Sequence, residues 1–162
     1  MKPIKKKLLI KVDVFVQEKK WKKYISNPQK YLKNKTKNIK NLIPFIKNKK
    51  IVFSILLTGN SGIKKFNKKF RKKNKTTDIL SFPFYNKKLL NKKINTTREV
   101  YLGDVIINLI KLKYKNNIKK FHEEFNKLWI HGIVHLFGYK HQRNKDFFKM
   151  NKIEKKYFSY LI

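Results

Sequence analysis

Three of the chain's four histidines lie within the eleven residues HGIVHLFGYKH, from His131 to His141. His131 and His135 are four residues apart, so on a helix they share one face about one turn, roughly 6 Å, from each other. Two imidazoles placed in this way can bind one metal ion. His141 can reach the same ion if the helix ends before it, and Gly138 can take the left-handed conformation that ends a helix and turns the chain back. The spacing predicts that all three histidines bind one metal ion.

A rival interpretation is that the three are hydrogen-bonded core histidines, which is the commoner situation for a single buried histidine. With 4 histidines in 162 residues, however, a window of eleven holds only about 0.3 on average, so the clustering favours ligands. Three imidazoles leave a fourth coordination position open for water, which is typical of a catalytic zinc site rather than a structural one. Neutral nitrogen ligands also suit zinc better than magnesium or calcium, and we expect one zinc ion per chain.

The residues around this motif predict a buried helix from about Lys119 to Phe137, because the segment is apolar on nearly all sides. Glu124 lies seven residues before His131 and therefore on the histidine side of that helix. It is either a hydrogen-bond partner of a histidine or an acid that favours the first turn of a helix, and the second is the commoner case.

The residue after the first histidine bears on the reaction. Zinc peptidases with this histidine spacing carry a glutamate base at that position, whereas this chain has Gly132. The ligand set is therefore present without the base, and peptide hydrolysis is disfavoured.

The chain has 43 basic and 9 acidic residues among 162, a formal net charge of +34. Such a charge is typical of proteins that bind polyanions. All but three of the basic residues are lysines, however, and alanine is absent while Asn, Ile, Phe and Tyr are abundant, a pattern that indicates codon bias in an A+T-rich genome. A solvated lysine coat explains most of the charge, so the charge permits nucleic-acid binding without establishing it.

Cysteine is absent, which excludes disulfides and thiolate metal sites and suits a reducing cytoplasm. The N-terminal apolar run is interrupted by Lys11 and Asp13 and lacks a small-residue cleavage site, so no signal peptide is predicted. Nothing approaches the roughly 20 apolar residues of a membrane span. We expect a cytoplasmic protein without membrane association, folded as one domain over residues 1–162.

The elements that must position the histidines follow from hydrophobic periodicity. Strands and helices interleave, which predicts an α+β or α/β class with about four strands. The predicted strands are Leu8–Val16, Ile51–Leu57, Asp78–Phe84 and Val100–Leu109. Two helices are predicted over Lys19–Lys47, with a break at Asn27-Pro28. A third runs from the TGNSG turn, with Asn60 or Ser61 as its cap, to about Arg71. Two more are predicted over Lys119–Phe137 and Asn144–Leu161. The lysine- and asparagine-rich segment Tyr85–Thr97 is predicted to be a loop.

Three segments together resemble the YbeY-type endoribonucleases of bacteria, namely FNKKFRKKNKTTDILSFPF (Phe66–Phe84), YLGDVIIN (Tyr101–Asn108) and HGIVHLFGYKH (His131–His141). Their order and spacing agree with that family from about Leu57 to His141, and the combination is specific although each segment alone is weak. Two positions depart from the family pattern. Lys140 replaces an aspartate beside the last histidine, which alters the local charge, and Thr76 replaces the proline that usually precedes Thr-Asp, which alters the stiffness of the turn.

The resemblance implies a metal-dependent endoribonuclease directed at single-stranded RNA, acting in maturation of small-subunit ribosomal RNA and in ribosome quality control. It implies an α+β fold with a mixed four-stranded sheet surrounded by helices, and a site at the end of a buried helix where His131, His135 and His141 hold zinc. The expected partners are RNA of the small ribosomal subunit and ribosomal proteins or ribosome-assembly factors. Arg71 matches the arginine expected to line the cleft, so Arg71 and the ligand His131 are the predicted catalytic residues.

The chemistry of phosphodiester cleavage agrees with a role for Arg71. The transition state needs positive charge nearby, and arginine supplies a planar donor fork that lysine lacks. Retention of arginine at this position in so lysine-rich a chain favours that role over an exposed arginine at the end of a helix. Asp78 and Asp104 lie at predicted strand edges, where each either orients a ligand or holds a turn, and we favour the turn.

Two other function classes stay open. One is a zinc hydrolase of peptides or small amides, which Gly132 disfavours. The other is a non-catalytic ribosome-binding factor with a structural zinc, which the open three-histidine geometry disfavours.

Overall fold

A computed structural model describes residues 9–39 and 49–161, and in them the chain forms a mixed four-stranded sheet surrounded by helices. The predicted α+β class is therefore confirmed. The strands are β1 (Leu9–Val16), β2 (Lys50–Thr58), β3 (Ile79–Pro83) and β4 (Glu99–Asn108). The helices are α1 (Pro28–Ile39), α2 (Asn60–Arg71), α3 (Lys87–Thr96), α4 (Ile118–Leu136) and α5 (Asn144–Ser159), with short 3-10 turns at Lys19–Lys23 and Leu109–Lys111. The parts of the predictions that concern Leu8 and Lys40–Lys47 lie outside the described residues.

The sheet has the strand order β1-β2-β4-β3. Strands β1, β2 and β4 are parallel, and β3 runs antiparallel to β4 at one edge. Strand β2 is buried on both faces, as its continuous apolar run predicts. One face of the sheet packs in the main core with α4, and the other carries a smaller cluster built around Ile63 of α2.

The N-terminal part of the chain differs from the prediction in one respect. The first of the two predicted helices is only the 3-10 turn Lys19–Lys23. A single turn suffices there, because it buries Trp21, whose indole N–H donates to the carbonyl of Thr58 at 3.0 Å. The second helix begins at Pro28, where the missing N–H of proline costs nothing.

The start of α2 also corrects a prediction. The cap residue is Gly59, and no side chain of the described residues caps the helix. Asn60 and Ser61 lie in the first turn instead, where the Oδ1 of Asn60 accepts a hydrogen bond from Asn108 Nδ2 at 2.8 Å. Asn60 therefore ties α2 to the end of β4.

The segment Tyr85–Thr97 is not the predicted loop, because it contains helix α3. Asn86 caps this helix by accepting a hydrogen bond from the backbone N–H of Leu89 at 2.9 Å. Leu90, only 2% exposed, anchors the helix in the core. The helix could not be predicted from hydrophobic periodicity, because lysines and asparagines dominate the segment and Leu90 is its one buried residue.

Helix α4 lies against the sheet, and nine of its residues are buried, as the prediction of a helix apolar on nearly all sides requires. Gly132 faces β4 so closely that a Cβ atom there would come within 2.7 Å of Val105 Cγ1. Helix α5 packs on α4 through Met150 and Tyr157. Among residues 9–39 and 49–161, no helix has the length and apolar character needed to cross a bilayer.

Candidate metal centre

The end of α4 and the turn after it bring the three histidines together. Helix α4 ends at Leu136, and Gly138 adopts φ +90°, the left-handed conformation expected of it. The chain then turns back, so that His141 stands beside the last two turns of the helix. One ring nitrogen from each of His131, His135 and His141 lies within 4.8 Å of the others.

The donor set fits a zinc ion. The Nε2 atoms of His131 and His135 are 3.1 Å apart, close to the roughly 3.3 Å separation of two nitrogens in a tetrahedral zinc site with Zn–N bonds of about 2.0–2.1 Å. The His141 ring centroid lies 5.7 Å from that of His131 and 5.0 Å from that of His135. Three convergent nitrogen donors, with no carboxylate among them, suit zinc better than magnesium or calcium.

Hydrogen bonds at the far side of each helical imidazole fix which nitrogen faces the centre. His135 Nδ1 donates to the carbonyl of Tyr139 at 2.8 Å. His131 Nδ1 donates to Glu154 Oε1 at 2.7 Å. Because a carbonyl and a carboxylate only accept, both protons sit on Nδ1. Both Nε2 lone pairs therefore face the common centre.

His135 is kept neutral by its surroundings. Burial lowers the pKa of this imidazole below its ordinary value, and the neighbouring ring of His131 lowers it further. The hydrogen bond to the Tyr139 carbonyl opposes the shift. Since a metal ligand must be unprotonated, this environment keeps His135 ready to bind an ion over a wider range of pH.

A cleft of about 750 Å³ opens in front of the histidines, and Arg71 lines it together with them. Arg71 is the last residue of α2, and its guanidinium crosses the edge strand β3, where Nη2 donates to the carbonyl of Ser81 at 3.0 Å. Its Cζ atom also lies 5.7 Å from the centre of the Phe82 ring. The structure therefore places Arg71 in the same cleft as the three histidines, with its guanidinium hydrogen-bonded to the Ser81 carbonyl.

Three carboxylates considered from the sequence do not contact the histidines. Glu124 neither pairs with a histidine nor lies in the first turn of α4, because its Oε2 accepts from the backbone N–H of Lys113 at 2.8 Å. Asp78 lines the cleft, and its Oδ1 accepts from the N–H of Ile79 at 2.8 Å and from the hydroxyl of Thr77 at 3.0 Å. Both partners are its chain neighbours, so a role in holding the turn before β3 stays a prediction.

Asp104 corrects the prediction of a turn. It lies within β4 rather than at its edge, and its Oδ1 accepts from the hydroxyl of Tyr101 at 2.6 Å and from the hydroxyl of Ser54. Together with Phe66 and Phe70 of α2 it lines a separate groove of the molecule. It therefore belongs to a different surface from the candidate metal centre.

Glu154 was missed by sequence reasoning. Its signal is an acid placed four residues after Met150 and three before Tyr157, within the stripe of α5 that packs against α4. A carboxylate in such a stripe needs a partner. Only the crossing of α4 and α5 shows that the partner is a histidine of the cluster.

Comparison with known proteins identifies one matching family and several relatives of this chain. The family described as endoribonuclease YbeY matches residues 13–161. An endoribonuclease YbeY from Pelagibacter ubique is 40% identical over 148 residues, which are 90% of this chain and 92% of that protein. One from Thermodesulfovibrio yellowstonii is 35% identical over 114 residues, 68% of this chain and 67% of that protein.

A solved structure is similar as well. A protein from Thermotoga maritima, known from its solution structure, superimposes with a TM-score of 0.52 at 26% identity. The superposition covers 94% of this chain and 89% of that one. The similarity therefore extends over nearly all of the chain rather than over the histidine motif alone.

Proposed function

The chain belongs to the YbeY family of endoribonucleases, and we propose that it is a zinc-dependent endoribonuclease that cuts single-stranded RNA. The observation that carries this proposal is the convergence of three imidazole nitrogens in one cleft with an arginine. The family match over residues 13–161 supports assigning the chain to a single catalytic domain.

We assign the metal ligands as His131, His135 and His141, with one zinc ion per chain. Zinc held by these three imidazoles would supply Lewis-acid chemistry for cleavage of a phosphodiester bond. His131 and His135 present their Nε2 atoms because Glu154 and the Tyr139 carbonyl hold the protons on Nδ1.

Arg71 and His131 are the proposed catalytic residues. Arg71 would bind the phosphate groups of the RNA, and His131 would bind the zinc ion. The carbonyl of Ser81 accepts from one N–H of the Arg71 guanidinium. Among the described residues no other hydrogen bond engages this guanidinium, so its other donors can bind phosphate oxygens across the cleft. A fixed guanidinium stabilises the negative charge that develops on the phosphoryl group without first having to reorient. Lys87 and Lys140 line the same cleft and add positive charge.

Peptide hydrolysis fits the site less well. A glutamate base after the first histidine would have to replace Gly132, but a Cβ atom there meets both methyl groups of Val105, at 2.7 and 2.9 Å. Position 132 faces the sheet and not the cleft. The packing of α4 on β4 thus leaves no room for that base.

In the cell, we propose that the substrate is RNA of the small ribosomal subunit, during its maturation and in quality control of ribosomes in the cytoplasm. The family to which the chain belongs supports this assignment, and the net charge of +34 favours attraction to RNA. Ribosomal proteins or ribosome-assembly factors are the proposed protein partners.

The proposal is tested by incubating purified protein with a single-stranded RNA and, separately, with casein. We expect cleavage of RNA and none of casein, and we expect His135→Ala to lose RNA cleavage. Casein cleavage, or equal RNA cleavage by His135→Ala and wild type, would show that the assignment is wrong.

A further inference from the structure

Glu154 is an acid within the packing stripe of α5. Its neighbours along that stripe, Met150 and Tyr157, are 2% and 8% exposed and pack in the main core. The side chains of Glu154 and His131 are themselves only 26% and 30% exposed. A partly buried carboxylate is costly unless it is hydrogen-bonded, and the Oε1 of Glu154 accepts a hydrogen bond from the Nδ1 of His131 at 2.7 Å.

The two helical histidines are thus supported in different ways. His135 donates to a neutral backbone carbonyl, that of Tyr139. His131 donates to a carboxylate, and such charge-assisted hydrogen bonds are shorter and about twice as strong as neutral ones. The carboxylate comes from a different helix, so the orientation of the His131 ring depends on how α5 packs against α4.

We propose that Glu154 is a positioning residue that holds His131 for metal binding and sets the affinity of the site. The inference rests on the proposed zinc site. Glu154 fixes the proton on Nδ1, orients the ring so that Nε2 lies 3.1 Å from its counterpart on His135, and strengthens the imidazole as a donor. Loss of a hydrogen-bond partner of this kind lowers metal affinity by about 10–100-fold.

The test is the dissociation constant for Zn²⁺, measured on the full chain by competition with a chromophoric chelator. The variants are Glu154→Ala, which removes the hydrogen bond, and Glu154→Gln, which keeps the volume and an acceptor but loses the charge. Glu123→Gln is the matched control, because it removes the same charge from an exposed position of α4. Melting of the metal-free proteins is measured beside the affinity.

We expect Glu154→Ala to bind zinc about 10–100-fold more weakly than wild type. The affinity of Glu154→Gln should lie between those of wild type and Glu154→Ala. Glu123→Gln should bind zinc like wild type. The metal-free Glu154→Gln protein should melt at the wild-type temperature, which separates positioning of a ligand from support of the fold. If Glu154→Ala does not fold, Glu154→Gln decides. Zinc affinities of the Glu154 variants equal to that of Glu123→Gln would overturn the inference.

The outcome for Glu154 is separable from the outcome for the proposed function. A wild-type protein that binds zinc but cuts no RNA would overturn the proposed function and leave the role of Glu154 standing. A wild-type protein that binds no zinc would overturn both.

Discussion

Arg71 is the sole arginine among the described residues that line the cleft, although Lys87 and Lys140 line it as well. What distinguishes it is its fixed geometry. Its guanidinium is held by the carbonyl of Ser81 at 3.0 Å and lies over the ring of Phe82. A lysine ammonium is a point charge on a flexible stem and cannot reproduce both contacts.

Replacing Arg71 by lysine should therefore separate binding from chemistry. The charge is kept, so RNA affinity should change little, while loss of the donor fork should slow cleavage about 10-fold or more. Single-turnover cleavage at saturating enzyme, beside equilibrium binding, measures both quantities. Lys73→Ala is the control for the lysine coat, and equal, minor effects of the two changes would reduce Arg71 to a surface charge.

The environment of His135 predicts a pH dependence of stability in the metal-free protein. Burial lowers the pKa of His135 in the folded state, whereas an unfolded histidine titrates near about 6.5. The unfolded chain therefore binds more protons at pH values between the lowered pKa and about 6.5, and the free energy of unfolding should rise with pH across that range and level off above it. Urea unfolding in the presence of chelator, across that range, measures the rise.

His135→Gln is the matching variant, since it removes the titrating group and keeps a polar side chain of similar size. We expect its stability to rise less with pH than that of wild type. Identical pH profiles for the two proteins would show that His135 does not titrate differently in the folded and unfolded states.

At the residue scale, the three histidines could be predicted because their relation is local. Helical spacing sets His131 beside His135, and one left-handed glycine returns His141. Glu154 could not be predicted, because it is 23 residues from His131 and meets it only where α5 crosses α4. The sequence indicates Glu124 instead, because it lies on α4 together with His131 and His135. Its carboxylate, however, accepts a hydrogen bond from the backbone N–H of Lys113.

At the element scale, helix α3 is the element that the lysine- and asparagine-rich composition led us to predict as a loop. It carries two adjacent leucines with opposite environments, Leu89 at 46% exposed and Leu90 at 2%. In a helix, neighbouring residues point in directions about 100° apart, so one can be buried while the other faces solvent.

The pair provides a matched test of α3. Leu90→Ala should lower the free energy of unfolding by about 2–5 kcal/mol, the usual cost of removing a buried leucine side chain. Leu89→Ala should cost less, because about half of its surface is already exposed to water. Chemical denaturation of both variants measures the difference, and equal costs would contradict the helix as described.

The other elements differ in how far they could be predicted. Strand β2 and helix α4 were found because long apolar runs leave few alternatives. The order β1-β2-β4-β3, by contrast, depends on pairings between distant segments, and periodicity within one strand carries no record of its neighbour. Periodicity alone does not predict whether the strands are parallel or antiparallel, and the mixed sheet was predicted from the resemblance to a known family.

At the scale of the whole molecule, 9 acidic residues face 43 basic ones, so most of the positive charges have no carboxylate to pair with. In the described part of the chain, two lysine–carboxylate pairs are present, Lys11–Asp13 and Lys50–Glu99. Both are at the surface, where such pairs contribute about 0–1 kcal/mol. We expect the lysine coat to attract RNA in a salt-dependent and sequence-independent manner, and we expect selectivity to come from the cleft.

We propose that a zinc ion bound by the three histidines is required to cut RNA. The direct measurement is cleavage of a single-stranded RNA by protein purified without a histidine tag, stripped with chelator and then titrated with zinc. We predict that the stripped protein is inactive and that activity returns as zinc approaches one ion per chain, while His135→Ala stays inactive throughout. Undiminished cleavage by the stripped protein would contradict the account.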